Sequence, residues 1–519
     1  MNHEMNDESA DRVKFQWIFI IFVIVALVIL WGKDIIRIID WRIPNEIREG
    51  ANVAVTQAFA DGNNPYRNIV FADKAPNVFY MYPFLNNLIG AVFVKILRLP
   101  SGLALLILNF VWTFLTGVLI AKVVKYCTNH IYFSGIAFLM SHYCGWRYTN
   151  VSAFPDMLGV FLMTLILYFC TCKPEKMKSN RSTVLLSFIT VLCFYSKQYT
   201  IIVAVPVFLF LLLKGYKKQC FLYTFTLVAG MGISALIVYF TMPLYFVETL
   251  LMVGGSADNE LRWAVTQFIK IGKLFFLELL FIIIYFIYGI RVRKLKLNYV
   301  WLSFGTMAAA LFYFGQNNGA HLSYYLQLWV PSVIIVSMCA ANEFMHIVKR
   351  DWQQYLIYAV IFLGAVYPAF FLYTPLLKEE KKENWDRVIE IADGSQMMLA
   401  TPQMADYAVY NRLYMYDYGQ NQYIFRKEMD SFWEKAEEAE WIKEIFPEIQ
   451  NFREIHEQYR QGILKMLDDK EYDVLMLVPE VGFTRDFAEF EQIKKERYEL
   501  VETIEIETGV WKWDLEVWR

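Results

Sequence analysis

A chain that alternates apolar runs with short charged loops has few ways to fold, and this one does so from residue 15 to residue 374. The apolar runs lie near 15–33, 103–124, 131–146, 156–172, 184–197, 199–214, 221–241, 273–291, 299–316, 323–342 and 354–374. In hydrocarbon every backbone N–H and C=O must be satisfied inside its own segment, so apolar runs of about 17–25 residues read as membrane helices. Several of these runs are shorter, so some helices must be broken or shielded by neighbours. The hydrophobic content of 57% and the mean hydropathy of +0.33 exclude an ordinary soluble protein. The expected fold is an α-helical polytopic membrane protein of about eleven transmembrane helices.

Lysine and arginine give the orientation. Lys122 and Lys125, then Lys173, Lys176, Lys178 and Arg181, then Lys214, Lys217 and Lys218, then Arg291, Arg293, Lys294 and Lys296, then Lys349 and Arg350, all fall on one alternate set of loops, which is therefore cytoplasmic. The run 82–97 (YPFLNNLIGAVFVKIL) is apolar enough to span, but counting it would reverse the parity and put the basic residues of 173–181 outside. It is read instead as an amphipathic helix lying on the outer surface. The result is a multi-pass plasma-membrane protein with a cytoplasmic N-terminus and an extracytoplasmic C-terminal part. The outer loops are 34–102, 147–155, 197–198, 242–272, 317–322 and 375–519. The acidic start and the lack of a small-residue cleavage site make 15–33 a retained anchor. All seven cysteines lie in or beside apolar runs, which excludes a disulfide framework in the polar tail, and a net charge of −2 carries no nucleic-acid signal.

The outer loops collect the residues that a plain helix bundle does not need. Pro44–Pro83 is long and polar and begins with two carboxylates three residues apart, Glu46 and Glu49. A helix is expected from Glu46 to the Asp61-Gly62 stop, with both carboxylates on one face; the alternative is a solvated amphipathic helix. The loop closes on YMYP, which contains Tyr82. Asp156 follows Pro155 at the outer mouth of a span, nine residues after Arg147; an ionisable group at such depth is a functional candidate, although Asp also suits a first helical turn. Lys197 and Gln198 occupy a hairpin where a cation and an amide could meet a phosphate, or where a lysine could simply snorkel. The loop LMVGGSADNELRW carries Arg262 beside a flexible Gly-Gly, and GAHLSYYL brings His321, Tyr324 and Tyr325 to the same side.

An outer carboxylate-bearing helix after the first span, then GNNPY and YMYP, FPDMLG at the mouth of a span, SKQ, and GAHLSYYL before a later span together resemble the GT-C superfamily of polytopic glycosyltransferases. Within it the likeness is to dolichyl-phosphate-mannose-protein mannosyltransferases and aminoarabinose transferases, over roughly residues 15–375. The resemblance implies a polyprenyl-phosphate sugar as donor and a glycan, lipid or protein as acceptor. By spacing to Gly62 it implies that the catalytic carboxylate is Glu46, with Glu49 as its rival; the sequence departs from the pattern here, since Asn45-Glu46 stands where many members have Asp, often as Asp-Glu. Asp156 matches the second acidic position, as orienter or metal ligand, and Lys197 matches the phosphate-facing cation. Gln198, Arg147, Arg262, His321, Tyr324 and Tyr82 complete the expected substrate-binding set. Some members use a divalent metal, so Glu46 and Asp156 are candidate ligands for Mg²⁺ or Mn²⁺.

Two domains are expected: 1–377 as the catalytic membrane part, and 378–519 as a small soluble α/β unit. In the latter SQMMLAT, YDVLMLVP, VETIEI and GVWKWDLEVW read as β-segments, with helices at 384–392, 404–411, 428–440 and 484–497. No phosphate loop or nucleophile motif marks this unit. Two other classes remain. A transporter or flippase would show internal repeats and midplane polar residues, of which Glu278 near Lys273 is the nearest example. A non-catalytic envelope assembly protein would tolerate neutral replacements at Glu46, Glu49 and Asp156.

Overall fold

The computed structural model describes residues 2–44, 49–66, 80–143, 152–251, 260–291, 298–316, 322–348, 350–372, 379–400, 404, 407, 414–415, 433–434, 438–479, 487–507 and 512–519. The expected apolar runs all fall on helices. These are α1 (Asn2–Ile39), α4 (Ser101–Thr128), α5 (Ile131–Tyr143), α6 (Asp156–Cys172), α7 (Asn180–Ser196), α8 (Ala204–Leu213), α9 (Lys217–Thr241), α11 (Phe276–Arg291), α12 (Tyr299–Phe314), α13 (Leu322–Ile347) and α14 (Asp351–Leu372). Between them lie α2 (Glu49–Ala60), α3 (Leu85–Leu97) and α10 (Leu261–Leu274).

Length divides the helices into two groups. Trp17–Ile39, Ser101–Thr128, Lys217–Thr241 and Leu328–Ile347 are each long and apolar enough to cross a membrane. Asp156–Cys172 and Tyr299–Phe314 are shorter apolar helices, and 17 residues of helix reach only about 25 Å. Their neighbours supply the missing cover: α4 packs along both α5 and α6, and α13 lies against all three. Helices α10 and α11 meet at a 94° bend, the geometry of a broken span or a re-entrant loop. The outward face of α9 carries Phe221, Phe225, Val228, Ile233, Leu236 and Phe240, all more than half exposed. A contiguous apolar surface of this kind belongs in lipid rather than water. Helix α3 is two-sided in the expected way, burying Asn86, Asn87, Gly90 and Ala91 while Leu88, Val92, Ile96 and Leu97 face outward.

Polar side chains inside the body mostly serve their own helix. Thr113, Thr116, Thr128, Thr164 and Thr190 each donate to the carbonyl four residues back, at 2.8 Å. Such bonds satisfy a hydroxyl locally and ask nothing of a neighbouring helix. A buried contact of a different kind joins His142 Nε2 to Asp34 Oδ2 at 2.8 Å, between α5 and α1.

The C-terminal residues form a five-stranded mixed sheet. Its strands are β1 (Met397–Ala400), β2 (Tyr414–Met415), β3 (Val474–Leu477), β4 (Leu500–Glu507) and β5 (Lys512–Trp518), in the order β2-β1-β3-β5-β4. Strand β1 runs parallel to β2 and β3, while β5 is antiparallel to β3 and β4. Helices α15 (Glu379–Asp393), α16 (Glu440–Ile445), α17 (Glu448–Asp468) and α18 (Ala488–Arg497) accompany it. The long α17 has no counterpart among the expected elements. The expected helices at 404–411 and 428–440 lie largely outside the described residues.

The sheet unit meets the membrane body around α2. Ile43 and Ala54 share an apolar cluster with Trp385, Val388, Met398, Val474 and Ile504, and Lys382 pairs with Asp40 at 2.7 Å. On its other side α2 packs against α3 and α4. All eight residues from Glu49 to Thr56 are buried. The solvated amphipathic helix is therefore ruled out for these residues, and α2 is an internal element held between two bodies.

Candidate active site

Four chain segments converge beneath α2. The described helix α2 begins at Glu49 and stops at Gly62, whose φ of +87° suits a residue without a Cβ. Glu46 lies outside the described residues, so its sharing of a face with Glu49 is not part of the described structure. Glu49 is 2% exposed, and its Oε1 accepts the Ala153 backbone N–H at 3.2 Å. Asn109 of α4 fixes that segment by donating through Nδ2 to the Phe154 carbonyl at 2.7 Å and to the Ser152 carbonyl. Glu49 is thereby held three residues from the start of α6, where Asp156 stands.

Asp156 does not act as a cap. The residue before it, Pro155, makes no side-chain capping bond, and the carboxylate turns instead to the next element. Lys197 Nζ lies 3.2 Å from Asp156 Oδ1 and 3.3 Å from Oδ2, and the Tyr199 hydroxyl donates to Oδ1 at 3.0 Å. Lys197 has an extended backbone between α7 and the 3₁₀ turn Gln198–Val203, and this break aims its side chain inward. With only 6% of that side chain exposed, Lys197 is not a snorkelling anchor. Its ammonium stands 4.0 Å from the centre of the Tyr82 ring, a cation–π contact. Gly159, one turn into α6, permits the close approach: a Cβ there would meet Thr200 Cγ2 at 3.1 Å and Lys197 Cβ at 3.7 Å.

A second polar layer backs the first. Tyr80 donates to Asn87 Oδ1 at 2.7 Å and also bonds Asn52, while Asn87 Nδ2 reaches the Asn52 carbonyl at 2.9 Å and Thr56 Oγ1 at 3.1 Å. Gln198 sends its amide to the Thr249 carbonyl at 2.9 Å and the Met81 carbonyl at 3.4 Å, which ties these two segments together beside Lys197. The π-turn Val247–Leu251 holds Glu248, which is fully buried and was absent from the expected set.

Not every expected residue joins this group. Arg262 is exposed at the start of α10, where it pairs with Glu260 and lies 5.2 Å from the Trp263 ring. It is thus apart from the Asp156–Lys197 group. Arg147 and His321 lie outside the described residues, as does the side chain of Tyr324. Glu278 is buried against Gly364 at the bend between α10 and α11, in a pocket it shares with Lys273. Among the described residues no three His, Cys, Asp or Glu side chains gather to hold a metal ion. Asp156 meets Lys197 and Tyr199 with its oxygens, and Glu46, the other expected ligand for Mg²⁺ or Mn²⁺, lies outside the described residues.

No protein-family model matches the chain, and no curated protein matches its sequence. Solved structures do. ArnT from Cupriavidus metallidurans bound to undecaprenyl phosphate superposes with a TM-score of 0.59 at 11% identity, over 96% of this chain and 98% of that one. The chain shares the GT-C fold. The apo state of the same ArnT gives 0.58 at 12% identity, over 96% and 97% of the two chains. The Archaeoglobus fulgidus oligosaccharyltransferase gives 0.46 at 12% identity, over 81% and 68%. The GT-C superposition with ArnT runs nearly end to end, through both the helical body and the sheet unit.

Proposed function

We propose that the protein is a glycosyltransferase that moves a sugar from a polyprenyl-phosphate donor to a glycan, lipid or protein acceptor of the cell envelope. The observation that carries this reading is the buried Asp156–Lys197–Tyr199 constellation, with Glu49 of α2 bonded to Ala153, three residues before Asp156, in a chain whose fold is that of a protein binding undecaprenyl phosphate. In this reading residues 1–377 are the catalytic membrane part, and residues 378–519 lie outside the membrane and cover α2. The N-terminus is cytoplasmic, and the reaction takes place on the outer face.

The chemistry needs three things. A carboxylate, Glu46 or Glu49, takes the proton of the acceptor hydroxyl as its oxygen attacks the anomeric carbon. The bond from that carbon to the phosphate oxygen breaks as the new one forms, so a single displacement inverts the centre. The polyprenyl phosphate departs with the electron pair, and Lys197 stabilises the charge that develops there. Asp156 and Tyr199 orient Lys197, and an arriving phosphate competes with Asp156 for its ammonium. The test is transfer from a panel of polyprenyl-phosphate sugars in membranes holding wild type, Glu46→Gln, Glu49→Gln, Asp156→Asn or Lys197→Met. Transfer by wild type, lost in one glutamate variant of normal fold, supports the reading and identifies the base. Movement of lipid-linked sugars without transfer, unaffected in all variants, would replace it with a transporter.

A further inference from the structure

Glu248 is the most costly side chain described near the site. It is fully buried, and among the described residues neither carboxylate oxygen has a side-chain hydrogen-bond partner. Three residues earlier the hydroxyl of Tyr245 is also buried, and among the described residues it makes no well-formed hydrogen bond. An unsatisfied buried acceptor costs a fold stability, and such groups persist where they do something else. Burial pushes the Glu248 carboxyl well above its usual range, and the nearby Tyr80 backbone amide offsets this only in part.

The surroundings narrow what that something is. The Tyr245 ring packs against Tyr66 at 5.5 Å, Phe84 at 5.4 Å and Tyr195 at 6.0 Å. Tyr66 in turn meets Tyr80 at 6.0 Å, and Tyr80 meets Tyr82 at 5.7 Å, the ring that lies under Lys197. The turn is stapled to the site by Gln198, which binds the carbonyls of both Met81 and Thr249. Met81, Tyr82 and Gln198 are only half-buried, so the turn lies one side chain beneath an open surface. Aromatic rings beside polar oxygens that lack donors match a ligand with apolar C–H faces and several O–H donors.

We infer that Glu248 is a sugar-binding residue of this site, accepting hydroxyl hydrogens of the carbohydrate while the Tyr245 hydroxyl supplies a second contact. The inference rests on the glycosyltransferase reading for the identity of its ligand. It adds to that reading a residue that contacts the sugar, distinct from those that meet the phosphate.

The experiment compares binding of undecaprenyl phosphate with binding of the same lipid carrying a hexose, by the full chain in lipid nanodiscs. Wild type, Glu248→Gln and Tyr245→Phe are measured together with their unfolding temperatures. Glu248→Gln keeps the shape of the side chain, so its unfolding temperature is expected to hold or rise. Its affinity for the sugar-bearing lipid is expected to fall by up to about tenfold, the scale of one neutral hydrogen bond, with the bare lipid unaffected. Tyr245→Phe should show a smaller loss of the same kind and serves if Glu248→Gln fails to fold. Equal loss for both lipids, or no loss for either, overturns the inference. The readout is binding, so wild type that binds the sugar-bearing lipid but transfers nothing refutes the proposed reaction while leaving Glu248 to be judged on its own.

Discussion

Buried polar groups behave differently in the helical body and at its outer end. In the body, Thr113, Thr116 and Thr164 return their hydroxyls to their own helix, four residues back, and Thr190 does so while also meeting the Tyr223 hydroxyl at 3.0 Å. At the outer end the partners are far apart in sequence: Ala153 with Glu49, Lys197 with Asp156, Tyr80 with Asn52 and Gln198 with Met81, separated by 104, 41, 28 and 117 residues. The first kind lets a helix enter lipid alone. The second kind exists only when several segments have already assembled, and it is where chemistry can be held in place.

The contrast breaks most visibly at the Asp156–Lys197 pair. Asp156→Ala leaves a buried ammonium without its carboxylate and is expected to cost about 3–5 kcal/mol and all transfer. The double variant Asp156→Asn/Lys197→Met should recover much of the unfolding temperature and none of the transfer. Glu49→Gln comes next: the amide oxygen can still accept from Ala153, so stability is expected to change by less than about 1 kcal/mol. If Glu49 is the base, transfer falls by about a hundredfold or more; unchanged transfer would assign the proton to Glu46.

Glu248 gives a pH signature. Its carboxyl titrates well above the ordinary value of 4.5 because burial disfavours the charge. The folded state thus favours the protonated form. The associated stability is full below the ordinary carboxylate range and is lost as pH rises toward the raised value. Unfolding temperatures across about pH 4–8 should decline more steeply with pH in wild type than in Glu248→Gln. The smallest effect is expected in the body, where Thr164→Val removes one self-contained bond and should cost less than about 1 kcal/mol with transfer intact. A large loss there would show that the body's hydroxyls are not as local as their geometry indicates.

Much of this was legible in the sequence because the membrane writes its demands as composition. Apolar runs located the helices, and carboxylates or lysines at their outer mouths located Glu49, Asp156 and Lys197. What stayed hidden is pairing. Nothing in the sequence couples Asp34 to His142 across 108 residues, or tells that Lys197 faces a carboxylate before it faces a phosphate. Glu248 did carry a signal: it is the one charge in the run MPLYFVETLLMV. The expected site residue in that loop was Arg262 instead. In the tail, β1, β3, β4 and β5 were legible by their β-rich runs, whereas the two-residue β2 is too short to leave a pattern. The polar α17, with Gly462 inside it, also went unrecognised.

Gln198 has a consequence beyond its two bonds. One side-chain amide holds carbonyls from two distant segments, and the residue before it carries the site's ammonium. Such a joint behaves as a logical conjunction: Lys197 keeps its aim only while the Met81 segment and the Thr249 turn are both in place. A displacement of either, whatever its origin, would be reported to Lys197 and Asp156 through a single residue.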